Sequence, residues 1–133
     1  MSSQDKHILL VDDDRDMHEA IRLILEPLGY RLTCCTTAPE ARAALRRELP
    51  DLLLLDIMLA TPHEGLVLAK EIKNDHRLGQ IPMLMISSIG ESLGMDYANE
   101  LDGSGMPGEG FLEKPLDPQR LRDNVCRLLN PNR

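Results

Sequence analysis

The stretch that most constrains this chain is Asp51-Leu52-Leu53-Leu54-Leu55-Asp56-Ile57-Met58-Leu59. Four consecutive leucines have neither the 3.6-residue period of an amphipathic helix nor the alternation of a half-buried strand. A short apolar run bounded by Pro50-Asp51 and Thr61-Pro62 predicts a strand covered on both faces, the kind found in parallel sheets. A carboxylate, Asp56, closes the run. In open parallel sheets ligands bind beyond the carboxyl ends of the strands, so Asp56 stands where chemistry is expected. A lone aspartate there would be read more simply as the end of a strand. Asp56 gains meaning from what the other strands bring beside it.

His7 to Val11 predicts a second buried strand, followed by Asp12, Asp13 and Asp14. Met17, Ala20, Ile21, Ile24, Leu25 and Leu28 then keep the i, i+3, i+4, i+7 rhythm of a helix. Asp14 or Asp16 can cap its start, and Gly29 sits where a left-handed residue ends it. Arg31 to Thr36 predicts a strand. Thr37-Ala38-Pro39-Glu40 has capping-box spacing for a helix that presents Ala41, Ala44, Leu45 and Leu49. A turn over Ala60 to Glu64 leads to a third helix from about Gly65 to Asn74.

Pro82 to Ile86 predicts a fourth buried strand, which ends in Ser87-Ser88. Six of the nine glycines fall between Ser88 and Gly110. Leu93, Tyr97 and Leu101 allow a short or irregular fourth helix there, weakened by Gly90 and Gly94. Asp102 to Gly110 predicts a loop, mobile until a ligand or partner orders it. Phe111-Leu112-Glu113 predicts a fifth strand, followed by Lys114-Pro115. Asp117 caps and Pro118 opens a last helix packed by Leu121, Val125, Leu128 and Leu129.

Strands alternating with helices predict an α/β fold, a doubly wound parallel sheet of five strands with helices on both faces. One domain over residues 1–133 is expected, with no effector domain, since the length suits a single core. The carboxyl ends of four strands then bring together Asp12 and Asp13, Asp56, Ser87 and Lys114. Three clustered carboxylates do not all stay ionised unless a cation joins them. Oxygen ligands, few and open to water, suit Mg²⁺. Beside such an ion Asp56 can attack phosphorus, with Lys114 and the Ser87 hydroxyl contacting other phosphoryl oxygens. The parts match in-line phosphoryl transfer.

These residues resemble the receiver domains of two-component response regulators, over nearly the whole chain. Ile8 to Asp14 resembles the family's first strand with its acid pair, and Leu52 to Leu59 its phosphoacceptor strand. Met83 to Ser88 resembles the strand ending in the switch Ser/Thr, and Phe111 to Pro115 the Lys-Pro strand. The resemblance implies a flavodoxin-like sheet of order 2-1-3-4-5. It implies that Asp56 is the phosphoacceptor, and that Asp13, Asp56 and the Met58 carbonyl bind Mg²⁺ directly, with Asp12 acting largely through water. Ser87 and Lys114 would contact the phosphoryl group, Ser87 and Phe111 would be the switch pair, and Lys114-Pro115 would be a cis peptide.

Three departures accompany the likeness. Ala60 stands where the family usually has proline, the loop's glycine comes one residue late at Gly65, and Ser88 to Gly110 is longer and richer in glycine. The last departure predicts an output by ordering of that segment rather than by a helix shift.

Composition narrows the partners. A net charge of −7 and only three aromatic residues argue against direct contact with nucleic acid. No apolar run approaches the ~20 residues that span a bilayer. No signal peptide is visible, so a cytoplasmic protein is expected. Cys34, Cys35 and Cys126 lack metal spacing and read as free, mostly structural thiols. His7, His18, His63 and His76 are scattered and predict surface or strand-end positions.

Two rivals remain. Asp12-x-Asp14 after a strand also fits a haloacid-dehalogenase-type phosphatase with Asp12 as nucleophile and Asp14 as acid, but that fold needs a further acidic pair on a strand after the lysine, and Leu116 to Arg133 offers only a helix. A receiver-shaped interaction module that is never phosphorylated is the other. The expected function is a phosphorylation switch served by a histidine kinase or phosphotransfer protein. It would act on an unknown protein target, with no enzymatic activity beyond its own phosphorylation and slow dephosphorylation.

Overall fold

A computed structural model describes residues 6–59, 64–87 and 109–130. In chain order these form β1 (His7–Val11), α1 (Arg15–Leu25), β2 (Arg31–Cys35), α2 (Ala38–Arg47), β3 (Leu52–Asp56), α3 (Glu64–Lys73), β4 (Met83–Ser87), β5 (Gly110–Glu113) and α4 (Pro118–Leu129). The strands make one parallel sheet in the order β2-β1-β3-β4-β5, as expected. The expected helix between β4 and β5, and the proposed ordering of that segment, lie outside the described residues.

The leucine run is the middle of this sheet. Leu52 to Leu55 are all 0% exposed, because β3 has a strand on each side and helices on each face. Alternate side chains divide between two cores. Leu53 and Leu55, with Leu9, Val11, Met83 and Met85, meet Ala41, Ala44, Leu45, Leu68 and Ile72 of α2 and α3. Leu52 and Leu54, with Ile8, Leu10, Leu84 and Ile86, meet Ile21 and Leu25 of α1 and Leu121, Val125 and Leu129 of α4. Cys34 packs with the second core and Cys35 with the first, as adjacent strand residues must. All three cysteines are free, and only Cys126 is exposed.

The helix starts follow their caps. Asp14, not Asp16, caps α1, accepting from the Asp16 N–H at 2.9 Å. Thr37 accepts from the Glu40 N–H at 3.2 Å, while Glu40 reaches back to the Thr36 N–H at 2.7 Å. Asp117 accepts from the Arg120 N–H at 3.2 Å. Gly29 has φ 97°, the left-handed ending expected of it.

Several expectations shift at the helix ends. Leu49 is 42% exposed, because the backbone turns extended at Glu48 and the helical phase is lost. Leu28 is exposed because α1 gives way after Leu25 to a 3₁₀ turn over Glu26–Leu28. Ala20 is also exposed, and His18 occupies the buried stripe with Ile21 and Leu25. The loop expected through Gly110 ends earlier, since Gly110 already pairs with Leu84 in β5.

Glu109 anchors that entry. Its N–H donates to the Met83 carbonyl at 2.7 Å and its Oε1 accepts from the Met83 N–H at 2.7 Å. Its Oε2 receives Lys73 Nζ at 2.7 Å, and the same ammonium reaches the Ile81 carbonyl at 3.2 Å. One carboxylate thus ties the start of β4, the end of α3 and the approach to β5 together.

Candidate functional site

Because all five strands run the same way, the residues that follow β1, β3 and β5 emerge on one edge of the sheet. Asp12 continues β1, its N–H donating to the Cys35 carbonyl at 3.0 Å. Its carboxylate is buried, with Oδ1 accepting from the Asp14 N–H at 2.9 Å. Asp56 is the last residue of β3 and only 4% exposed. Its Oδ1 accepts from the Met58 N–H at 3.0 Å and its Oδ2 from Lys114 Nζ at 3.0 Å. Lys114 follows β5 directly and joins Pro115 through a cis peptide, as expected.

Lys114 is shared. Its Nζ also lies 3.0 Å from Asp12 Oδ2. Asp12 Oδ2 is itself buried, so this ion pair is shielded from water. Asp13 is exposed and completes the cluster: Asp12, Asp13 and Asp56 each place an oxygen within 4.8 Å of the other two. Burial first, and then the Asp12 charge, push the Asp56 carboxyl up to about 6, although Lys114 and the Met58 N–H pull the other way. Burial pulls the Lys114 ammonium down, but Asp12 and Asp56 outweigh it and its pKa is raised. Lys114 is therefore charged while Asp56 is held near its titration point.

The donors suit a hard divalent cation. All three candidate side chains offer carboxylate oxygen, and the two buried ones, Asp12 and Asp56, share the single Lys114 ammonium. One ammonium divided between two buried carboxylates leaves negative charge uncompensated. A Mg²⁺ ion fits that deficit.

The other expected residues are placed as follows. Met58 is in contact through its N–H. Ser87 closes β4 in register with Glu113, and its side chain lies outside the described part of the structure. Phe111 stands on β5 opposite Met85, half-buried against the α2–α3 core.

Two residues escaped the sequence reading. His18, expected at a surface or strand-end position, is buried on a helix, and its Nε2 lies 2.6 Å from the Asp12 carbonyl oxygen. Its spacing from Ile21 and Leu25 was the available signal. Gly65, read as a late loop glycine at the start of the third helix and given no role in the site, donates its N–H to the Ile57 carbonyl at 2.8 Å. A Cβ at Gly65 would collide with the Asp56 and Ile57 carbonyl oxygens, so only glycine lets α3 close against the end of β3.

Comparison with known proteins gives a consistent picture. The family model described as response regulator receiver domain matches residues 8–126. The Phosphate regulon transcriptional regulatory protein PhoB of Pseudomonas aeruginosa is 33% identical over 123 residues, which are 92% of this chain and 50% of that protein. The chain spans about half the length of the curated relatives it matches. Among solved structures, a two-component response regulator from Clostridium difficile superposes with a TM-score of 0.80 at 25% identity, over 97% of this chain and 100% of that one. The receiver domain of a sensor histidine kinase from Pseudomonas aeruginosa, with a magnesium ion coordinated in its active-site cleft, superposes at 0.78 and 25% identity, over 94% of this chain and 98% of that one.

Proposed function

Because the chain belongs to the response regulator receiver domain family, we propose that it is a phosphorylation switch whose phosphoacceptor is Asp56. The observation that carries this is the buried Asp56 carboxylate, held between Lys114 and the Asp12–Asp13 pair with too little positive charge around it. An Asp56 oxygen forms the new P–O bond as the P–N bond of a phosphohistidine donor, on a histidine kinase or phosphotransfer protein, breaks. The Met58 N–H holds the other oxygen, which orients the attacking one. Lys114 then moves its charge from carboxylate to phosphoryl oxygen, and the Ser87 hydroxyl supplies a further donor.

Asp13, Asp56 and the Met58 carbonyl would hold Mg²⁺, with Asp12 acting largely through water, and the ion would supply positive charge to the phosphoryl oxygens. The magnesium coordinated in the cleft of the sensor-kinase receiver supports this choice of ion. Ser87 and Phe111 would relay the change to a protein-binding surface in the cytoplasm, with no direct contact to nucleic acid or membrane.

Acetyl phosphate and Mg²⁺ should add one phosphoryl group per chain, read by intact mass. Asp56→Asn should abolish it, since an amide is no nucleophile. Persistent labelling of that variant at a single other residue would move the site. Absence of labelling in the wild-type chain, with a kinase donor as well, would favour an unphosphorylated interaction module.

A further inference from the structure

His18 is a histidine in a place built for apolar residues. It lies on α1 with Ile21 and Leu25, the two fully buried apolar residues of that helix, and is buried with them. It is the first member of this stripe, at the end of α1 nearest the carboxyl edge of the sheet. There the core runs out and backbone groups lose their ladder partners. β1 ends at Val11, and the Asp12 carbonyl is the first beyond it.

His18 Nε2 meets that carbonyl at 2.6 Å. A carbonyl oxygen only accepts, so Nε2 carries the proton and donates it. Asp12 is thereby fixed at four atoms. Its N–H is held by the Cys35 carbonyl, its oxygen by His18, its Oδ1 by the Asp14 N–H, and its Oδ2 faces Lys114. Of these the His18 bond is the one that fixes the peptide between Asp12 and Asp13. The direction of that peptide determines where the exposed Asp13 carboxylate points.

We infer that His18 is a positioning residue of the acidic site: its bond to the Asp12 carbonyl holds the Asp12–Asp13 peptide so that Asp13 joins Asp12 and Asp56 around one cation. This rests on the reading that the three carboxylates bind Mg²⁺. Partners that orient metal ligands without touching the metal typically contribute 10–100-fold to affinity. A histidine suits the place because its ring body fills the end of the core while its tip donates a hydrogen bond. An apolar residue supplies the first of these alone, and glutamine supplies both.

The test compares Mg²⁺ affinity, from calorimetry and the amide shifts of Asp13 and Met58, in wild type, His18→Leu and His18→Gln, with Tm measured for each. The expected result is a Mg²⁺ affinity at least tenfold weaker in His18→Leu and within about threefold of wild type in His18→Gln. Equal Mg²⁺ affinity in His18→Leu, whatever its Tm, reduces His18 to a core residue and overturns the inference. So does a loss in His18→Gln as large as in His18→Leu. A measurement on the wild type stands apart from folding of the variants. The ring ¹⁵N resonances of His18 should show the Nε2–H tautomer, and an Nδ1–H tautomer would refute the bond itself. Failure of wild type to bind Mg²⁺ by these same readouts would instead overturn the metal reading, and the inference with it.

Discussion

Lys114 Nζ donates to Asp56 Oδ2 at 3.0 Å, joining the exit of β5 to the end of β3 across 58 residues of chain. The same ammonium lies 3.0 Å from Asp12 Oδ2. Burial first, and then the Asp12 charge, raise the Asp56 pKa to about 6, and a single cation divided between two buried carboxylates does not offset them. The site is thus held short of one positive charge.

Removing that cation is the first test. In Lys114→Ala the Asp56 carboxyl should titrate above its wild-type value, because burial and the Asp12 charge then act without the Lys114 opposition. The fold should persist, since Lys114 packs into neither core cluster. Partner binding should no longer respond to phosphorylation. A ¹³C titration of Asp56 that is unchanged in the variant would show that Lys114 does not balance this carboxylate.

The pH dependence of stability has a defined sign. A carboxyl raised from 3.8 to about 6 binds its proton more tightly in the folded chain than in the unfolded one. The stability this contributes is fully present below pH 3.8 and is lost as pH rises through about 6. Above that window the buried charge costs about 1–3 kcal/mol without Mg²⁺. Asp56→Asn should therefore be the more stable chain at pH 7, and the two should converge towards pH 4. Mg²⁺ should erase the difference by favouring the charged form. Parallel denaturation curves for the two chains from pH 4 to pH 7 would contradict the raised pKa.

Glu109 offers a test away from the site. Its Oε1 satisfies the Met83 N–H and its Oε2 the Lys73 ammonium. Glu109→Ala leaves a partly buried N–H and a partly buried cation with less, and should cost about 1–2 kcal/mol. Asp56 labelling should proceed at the wild-type rate, because Glu109 lies at the opposite end of β4. Amide exchange at Met83 and Gly110 should accelerate; unchanged protection there would mean the carboxylate does not hold β5 in place.

The legible parts of this molecule were those decided locally. Leu52 to Leu55 read as a central strand because burial on both faces removes any need for alternation. Asp12, Asp56 and Lys114 read as a site because each follows such a run. What was not legible lay outside the apolar rhythm. His18 was passed over because periodicity counted apolar residues alone, and a ring with a polar tip can end a core stripe as well as leucine. Leu49 and Leu28 were misplaced because helical phase was carried past the points where the backbone leaves the helix. Glu109, next to glycines, looked like loop; only the Met83 N–H across the sheet gives it a task.

Gly65 carries the last prediction, because its contact joins fold to chemistry. A Cβ there would collide with the carbonyl oxygens of Asp56 and Ile57, the backbone that positions the phosphoacceptor. Gly65→Ala must move α3 away from β3 or turn the Asp56 peptide. Overpacking of this kind costs about 1–3 kcal/mol. Displacing Asp56 should also slow its labelling by at least tenfold. Gly79→Ala is the control: its Cβ would lie 2.7 Å from the Lys73 carbonyl oxygen, a backbone collision too, though a milder one than at Gly65. Gly79 follows α3, at the end of that helix away from Asp56. It should lower Tm while leaving the labelling rate near wild type. If Gly65→Ala and Gly79→Ala slow labelling equally, the effect is one of general stability, and Gly65 does not set the position of Asp56.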